Sequence, residues 1–475
     1  MFRKAYLLIL LFLWCSPSLL GHSLLAQPLN RPQASSHSNL NYRGWGVFHY
    51  YLNSKYFDEL GYFNLYPCAF NSTLNQDNRL WWVARDLHTY AMTNSLPPCP
   101  KDLFSEERKR SFEQDLSFIV EHTQQPKWGE VLTDKGFNPT PMWGVLAGRL
   151  AEQAPLQGGF LRQAIFEIDR ASLLLSLILI GVFEGWACAL WTALLLGAFF
   201  GTSGGLTGHY LQFLWLPLLV GSFLCWTRGR VGCSTFMVGI AAGLQAFPII
   251  FAAPLLLHSF IHRPRVALRA SLSLCAALCI AFLIGSQSTR GVSAWSEWRE
   301  KIHLQSEYLA FEPFNIGFKN MVHGAFLQKA HFAESYETDN PFTLADIESA
   351  RPFKTVVTAA QCLMALIICA FIIRCRDPRL IFAMGLPLLF VLLNLSPYYY
   401  LCLSCLPLFV WDAKLLRKPA VVLISLLFIA HVYFVVHRGY ITFEVTPHAF
   451  SKIGIFFVLG IISYLVVKQP ECPAK

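Results

Sequence analysis

Long apolar blocks separated by short basic clusters are the feature that most restricts how this chain can fold. An α-helix needs about 20 apolar residues to cross about 30 Å of hydrocarbon, and several blocks have this length. Only 14% of the 475 residues are charged and 54% are hydrophobic, whereas ordinary soluble domains carry about 25% charged residues. The sequence therefore predicts an all-α polytopic membrane protein.

The apolar blocks after residue 165 predict a series of short spans. Residues 171–201 are interrupted by Glu184 and Gly185, and as one helix they would be about 46 Å long, so we expect two spans there. The other clear blocks are 210–226, 267–285, 356–373, 380–395, 398–411, 420–436 and 453–467.

The block 232–258 holds Gln245 and Pro248 at its centre, and it is either one tilted helix or a broken pair. The charges between the blocks bear on this choice, because basic residues collect on the cytoplasmic side of a membrane protein. If the block crosses once, Arg263/Arg265 and Arg374/Arg376 are external. If it dips or crosses twice, every basic cluster and both termini are cytoplasmic, the chain crosses about twelve times, and both polar regions face outward. The expected range is therefore about 10–12 spans. The clusters are Arg3/Lys4, Arg228/Arg230, Arg263/Arg265, Arg374/Arg376/Arg379, Lys414/Arg417/Lys418 and Lys468.

These patterns divide the chain into five parts. Residues 1–26 are a first span or a signal sequence, and 27–164 form a large outer-face loop domain. A transmembrane bundle follows at 165–285, then a second outer-face loop at 286–352 and a C-terminal bundle at 353–475. Because the net charge of +9 comes from clusters between spans rather than from a basic groove with interleaved aromatics, we expect membrane lipids and no nucleic acid as partners.

The first loop domain carries two local patterns. Residues 111–122 predict an amphipathic helix, with Ser111 and Gln114 as a capping box, that packs on its own domain or lies in the membrane interface. Cys68 and Cys99 are water-facing, and they can form a disulfide if the domain faces an oxidising compartment.

An aromatic stretch from Gly44 to Tyr66 surrounds the adjacent acids Asp58 and Glu59. Aromatic faces suit sugar rings and polyprenyl chains, and a carboxylate among them can serve as a general base. The alternative is a surface pair on a structural segment. A first span, then a long loop with this acid near its start, then many short spans, resembles the GT-C glycosyltransferases, near glycosyltransferase family 87. The segments that are similar are 49–62, 85–89, 137–141 and 244–248, with Arg263 and Arg265 downstream.

The resemblance implies an enzyme of the inner membrane that takes a sugar from a polyprenyl-phosphate donor to a lipid or glycan acceptor with inversion. It implies Asp58 or Glu59 as the base, with Asp86 second, and no cofactor or metal, although a divalent cation stays open. Where relatives often have a basic residue, this chain has Gln245. The expected substrate-binding residues are Arg43, His49, Tyr50, Lys55, Arg85, Asn138, Asn315 and Lys319.

Two other function classes fit a multi-pass chain. A transporter or flippase of lipid-linked or small polar substrates would use intramembrane charges and paired broken helices. A scaffolding membrane protein would use neither. The acids among aromatics in the first loop favour the enzyme.

Overall fold

The computed structural model describes residues 44–78, 80–122, 128–157, 164–198, 210–309, 317–319, 354–394 and 397–410. The regular secondary structure in this part of the chain is helical except for one two-stranded antiparallel sheet, in which β1 (Ala84–Arg85) pairs with β2 (Met92–Thr93). The predicted first span at 1–26 and the predicted spans at 420–436 and 453–467 lie outside the described residues.

Residues 44–157, called the polar unit below, fold around an aromatic core. Phe48, Tyr51 and Tyr66 are completely buried in it, because aromatic rings spaced along short helices bury large apolar areas. The disulfide between Cys68 and Cys99 closes one side of the unit. Its helical segments are Gly44–Gly46, a π-helix at Val47–Leu52, Asn53–Lys55, Phe57–Leu60, α1 (Leu65–Phe70), α2 (Thr73–Asn78), α3 (Glu106–His122), a 3₁₀ segment at Trp128–Thr133 and α4 (Pro141–Gln153).

The predicted start of helix α3 is wrong. The helix begins at Glu106 rather than near Ser111, because the Ser105 side chain accepts the amide of Arg108 and caps it there. The Ser111 hydroxyl instead donates to the carbonyl of Glu107 within the helix. Of the residues predicted on its apolar face, Phe112, Leu116 and Ile119 are buried in the core of the polar unit, whereas Val120 is only partly buried.

Up to residue 374 the described apolar blocks form helices near their predicted limits. The predicted spans 380–395 and 398–411 are wrong as single helices, because the first is divided into Pro378–Ala383 and Gly385–Leu392 and the second is mainly a 3₁₀ segment. Pro387 and Pro407 lie within these blocks, and a proline lacks the amide that continues an α-helix. Among the described residues, two helices are long and apolar enough to cross a membrane, Pro264–Gly285 with 22 residues and Lys354–Arg374 with 21. The helices are α5 (Ile168–Glu184), α6 (Trp186–Ala198), α7 (Trp215–Thr227), α8 (Val231–Leu244), α9 (Ala252–His262), α10 (Pro264–Gly285), α11 (Ser293–Leu309), α12 (Lys354–Arg374), α13 (Pro378–Ala383), α14 (Gly385–Leu392) and α15 (Leu406–Val410), which follows a 3₁₀ segment at Pro397–Cys405.

The two predicted interruptions are present. Gly185 separates α5 from α6 and has a φ of 98°, which glycine adopts without a steric penalty. The block 232–258 is a broken pair, because α8 ends at Leu244, Gln245 is extended, and a 3₁₀ segment at Phe247–Phe251 leads into α9. The chain changes direction at this break, so α9 runs back toward the end of the bundle at which α8 begins.

Helices α8 and α10 pack closely through small residues. A Cβ atom on Gly239 would lie 2.5 Å from the Cβ of Ala277, and one on Gly243 would lie 2.7 Å from that of Ala281. Such small-residue contacts let two backbones approach, as in helix pairs of membrane proteins. The residue numbers of the contacting positions rise together on the two helices, so α8 and α10 run parallel.

Polar contacts define one end of this bundle, called the arginine end below. Glu184, the last residue of α5, accepts from Arg379 at 2.5 Å and forms an ion pair with Arg228 at 3.4 Å. His262 contacts the carbonyl of Ile373 at 2.8 Å. The basic clusters that follow α7, α9 and α12 therefore gather at one end, and the polar unit packs at the other.

Candidate functional site

The two polar regions meet in a seam, defined here as the contact between the polar unit and residues 286–309. The backbone amide of Thr289 donates to Asp58 Oδ1 at 2.9 Å. Arg290 reaches across the seam and donates to the carbonyl of Glu59 at 2.7 Å, while its other guanidinium nitrogen forms an ion pair with Glu297 at 2.5 Å. The loop before α11 is thereby fixed against the segment that holds the two predicted acids.

Asp58 and Glu59 are held in different ways. The Asp58 side chain is exposed, and its Oδ2 atom makes no hydrogen bond with the described residues. Glu59 is partly buried and accepts from Arg108 Nε at 2.6 Å, and its second oxygen, Oε2, is enclosed without a hydrogen-bond partner. Of the two acids, only Asp58 therefore presents a carboxylate oxygen to an incoming substrate.

Asp86 has a local structural role in the turn between β1 and β2. Its two carboxylate oxygens accept from the amide of His88 at 2.9 Å and from the hydroxyl of Thr89 at 3.1 Å. A carboxylate that bonds its own turn in this way stabilises the turn. Asp86 therefore has less free bonding capacity than Asp58.

A buried network around His49 supports the aromatic segment. His49 Nδ1 lies 2.9 Å from the carbonyl of Trp45, and its Nε2 lies 2.7 Å from the hydroxyl of Tyr66. Burial lowers the pKa of His49 below its ordinary value of 6.5, so the neutral ring donates from Nδ1 and accepts from Tyr66. Trp45 Nε1 donates to Asp134 at 3.0 Å, which places a carboxylate 4.0 Å from His49 Nε2.

Lys301 extends this network across the seam. Its Nζ donates to the Tyr90 hydroxyl at 2.9 Å and lies 4.6 Å from the centre of the Tyr90 ring. Arg85 bonds the carbonyl of Tyr90 at 2.9 Å and that of Thr133 at the same distance. Lys301 is completely buried, and this burial, together with the charge of Arg85 and against that of Asp134, lowers its pKa well below the ordinary value of 10.5.

An apolar cavity of about 630 Å³ adjoins the seam. Trp295 and Trp298, on α11, form its wall toward the polar unit, and α8 and α10 form the wall toward the bundle. Trp298 Nε1 also donates to the carbonyl of Asn138 at 3.3 Å. The predicted residue Asn138 therefore lies beside the cavity, and its own Oδ1 is buried without a hydrogen-bond partner in the described structure.

The structure gives the other predicted binding residues separate positions. Lys55 forms an ion pair with Asp115 at 2.6 Å, and each side chain is 10% exposed, so its charge is already balanced. Tyr50 packs its ring against Trp143 at 5.8 Å. Lys319 is in the short piece 317–319 and is partly buried. Arg43 and Asn315 lie outside the described residues.

Arg149 and Lys301 are seam residues that the sequence did not single out. Arg149 is exposed on α4 and donates to Gln287 Oε1 at 2.7 Å, two residues before the Thr289 amide that holds Asp58. Lys301 stands in a polar helix where a lysine ordinarily faces water. The sequence predicted only that the two polar regions lie on the same face of the membrane, and it did not indicate which of their residues meet.

The chain matches no protein-family model, no curated protein and no solved structure. The resemblance to GT-C glycosyltransferases stays a prediction. In the part of the chain that the structure describes, no three His, Cys, Asp or Glu side chains are grouped as metal ligands, and the expectation of no metal also stays a prediction.

Proposed function

We propose that this protein is a multi-pass glycosyltransferase of the inner (plasma) membrane that moves a sugar from a polyprenyl-phosphate donor to a lipid or glycan hydroxyl at the outer face. The observation that carries the proposal is the hydrogen bond from the Thr289 amide to Asp58. It holds an exposed carboxylate, which lies within the aromatic segment, against the second polar region and near an apolar cavity.

The distribution of polar contacts supports a membrane arrangement with both polar regions on one side. Arg228 and Arg379 share Glu184 at the arginine end, as the preference of basic residues for the cytoplasm requires. The seam lies at the other end of α10, and α10 has the length of one crossing. With α8 and α9 returning the chain to the arginine end, every described basic cluster between spans is cytoplasmic.

The cavity supports a lipid-borne substrate. Its lining is apolar apart from Thr140, whose hydroxyl bonds the carbonyl of Gly243. Leu278, Phe282 and Leu283, on the α10 wall, are also exposed on the outer surface of the bundle. An isoprenoid chain entering from the lipid would therefore meet apolar walls, with its phosphate at the level of the tryptophans, which favour membrane interfaces.

In the proposed reaction Asp58 Oδ2 takes the proton of the acceptor hydroxyl. The acceptor oxygen forms a bond to the anomeric carbon while the bond from that carbon to the phosphate oxygen breaks, and the electron pair leaves with the polyprenyl phosphate. A single displacement inverts the anomeric centre. The Thr289 amide orients the carboxylate throughout, because it bonds the other oxygen, Oδ1.

The leaving phosphate gains negative charge and needs a cation in the same place. Arg149 suits this role because it is exposed and is tethered by Gln287 on the loop that holds Asp58. Arg290 is less suited, because its guanidinium bonds Phe57, Glu59 and Glu297. We therefore assign Arg149 to the phosphate and Arg290 to the seam itself.

The test compares Asp58→Asn with Glu152→Gln in membranes supplied with labelled polyprenyl-phosphate mannose or glucose. Asparagine keeps an oxygen for the Thr289 amide but cannot take a proton, so transfer should fall by about 10²–10⁴-fold. Glu152 is a partly exposed carboxylate on α4 that also pairs with Arg108, and its variant should stay close to wild type. Full transfer by Asp58→Asn at normal expression would overturn the base assignment.

A transporter of lipid-linked substrates is the second candidate, because the break after Leu244 lies beside the cavity and broken helices often mark transport sites. This function predicts movement of a fluorescent polyprenyl-phosphate sugar between leaflets of proteoliposomes, and it predicts that Asp58→Asn leaves the movement intact. Sugar transfer that depends on Asp58 would exclude transport as the sole function.

A further inference from the structure

Two cysteine pairs lie at opposite ends of the molecule and are in different states. Cys68 and Cys99 are joined in the polar unit. Cys225 and Cys233 are free thiols, although their sulfur atoms are only 3.3 Å apart. The second pair is at the arginine end, because Arg228, in the loop between the two cysteines, bonds Glu184.

The local structure holds the second pair together. Cys225 is in the last turn of α7 and Cys233 is near the start of α8. Ser222, about one turn before Cys225, and Ser234, the residue after Cys233, have hydroxyls 2.9 Å apart, which fixes the spacing of the two helices. Cys233 is exposed and Cys225 is partly exposed, so a small oxidant in water can reach the pair.

We propose that Cys225 and Cys233 form a redox-sensitive dithiol that closes to an intramolecular disulfide when a hydroperoxide reaches the arginine end. This modification site is independent of the proposed sugar transfer. One thiolate attacks the peroxide, its sulfur is oxidised to a sulfenic acid, and the peroxide is reduced to an alcohol or water. The second thiolate then displaces hydroxide from the sulfenic acid as the S–S bond forms, and the hydroxide takes a proton to become water. A thiol reductant reverses the change by exchange.

Little movement is needed for this reaction. A disulfide bond is about 2.05 Å long, so each sulfur atom has to move by less than about 1 Å, which rotation about the side-chain bonds supplies. The bond would join α7 to α8 covalently at the arginine end. Since α8 also lines the apolar cavity through Ala242 and Gly243, oxidation would restrict the position of a cavity wall.

Cys275 and Cys279 provide an internal comparison. They stand one turn apart on α10 and are exposed, but their sulfur atoms do not contact each other in the structure. Both pairs are close in sequence and contain an exposed cysteine, but only Cys225 and Cys233 have sulfur atoms in contact. The proposal therefore predicts that peroxide oxidises the pair whose sulfur atoms are in contact and leaves Cys275 and Cys279 unjoined.

The experiment counts oxidised cysteines in the full-length protein. Membranes are treated with hydrogen peroxide or left untreated, and the free thiols are blocked with N-ethylmaleimide in dodecyl sulfate. The protein is then reduced and labelled with polyethylene-glycol maleimide, and each label shifts its band on a gel. Untreated protein should gain two labels from Cys68 and Cys99, and treated protein should gain two more.

Serine variants identify the source of the added labels. Cys225→Ser and Cys233→Ser should each abolish both added labels, whereas Cys275→Ser should keep them. The wild-type protein gaining no labels after peroxide would overturn the proposal, and so would an unchanged gain in Cys225→Ser. Because the readout requires no sugar transfer, failure of the proposed enzymatic function would leave it unaffected.

Discussion

Lys301 Nζ donates a hydrogen bond to the Tyr90 hydroxyl over 2.9 Å and so joins α11 to the turn between β1 and β2. Both groups come from polar regions that are separated by the first group of apolar helices. Tyr90 has a φ of 59°, an uncommon conformation for an aromatic residue. A strained residue held by a buried amine marks a place where two segments fix each other's position.

The first prediction concerns the energy of this contact. Lys301→Met keeps the length of the side chain but removes the donor to Tyr90. At a pH near 10.5, where the unfolded chain also releases much of the lysine proton, it should lower the free energy of unfolding by about 1–3 kcal/mol. Tyr90→Phe added to Lys301→Met should cost less than the sum of the two single changes, because each removes the same bond. Thermal unfolding of the purified protein in detergent measures all four combinations, and strict additivity would show that the contact contributes nothing.

The second prediction concerns alkaline pH. Burial first, and the charge of Arg85 after it, lowers the pKa of Lys301 well below 10.5, so the folded protein releases a proton that the unfolded chain still binds. Unfolding stability should therefore rise with pH up to about 10.5, by at most about 1.4 kcal/mol per pH unit. Thermal unfolding of Lys301→Met over the same range should lack this rise. An equal rise in both proteins would contradict a neutral buried amine.

The sequence predicted much of the bundle because apolar length and breakers are local properties. Gly185 separates α5 from α6, as expected, whereas for the block 232–258 a tilted helix and a broken pair were both open, and the structure shows the broken pair. The start of α3 was missed because the capping residue Ser105 lies outside the periodic apolar face. To predict that start, Ser105 would have had to be recognised as a cap although several polar residues separate it from the apolar face.

The site was predictable only in part. The acids Asp58 and Glu59 stood out, but which one is free depends on Arg108, which lies 49 positions away from Glu59 in sequence and binds it. The roles of Arg149 and Lys301 depend on partners in another polar region. Such pairings come from tertiary packing, and neither the composition nor the periodicity of a segment carries them.

The third prediction distinguishes structural from binding roles for Lys55. Asp115 accepts from Lys55 at 2.6 Å and from the Tyr56 hydroxyl at 2.8 Å. Asp115→Ala leaves the buried ammonium without its counter-charge and should cost about 3–5 kcal/mol of unfolding free energy. Lys55→Met should cost less, because Tyr56 still satisfies Asp115. If Lys55→Met instead kept its stability and lost donor binding, Lys55 would be a substrate residue.

The fourth prediction rests on the proposed function and concerns Arg149. Arg149→Gln removes the cation assigned to the leaving phosphate, and kcat/KM for the polyprenyl-phosphate sugar should fall by about 10–100-fold. Arg149→Lys keeps the charge without the bidentate geometry and should recover part of the loss. Gln287→Ala, which removes only the tether, serves as the control and should act mainly on KM. Equal activity of Arg149→Gln and wild type would remove Arg149 from the site.

The fifth prediction tests which sides of the membrane the two ends of the bundle face. Reporter fusions truncated after Pro100 and after Thr289 should read as external, since Asp58 binds the Thr289 amide. Fusions after Arg263 and after Asp377 should read as cytoplasmic, since His262 contacts Ile373 at the arginine end.

The fusion after Arg263 is the decisive one. If α8 and α9 formed one crossing, Arg263 would be external, and the parallel packing of α8 with α10 would be impossible in a membrane, because α10 would then run in the opposite direction. An external reading at Arg263 together with a cytoplasmic reading at Thr289 would separate Thr289 from the side that holds Asp58. Since the carboxylate and its amide partner have to share one aqueous compartment, that result would remove the physical basis of the proposed reaction.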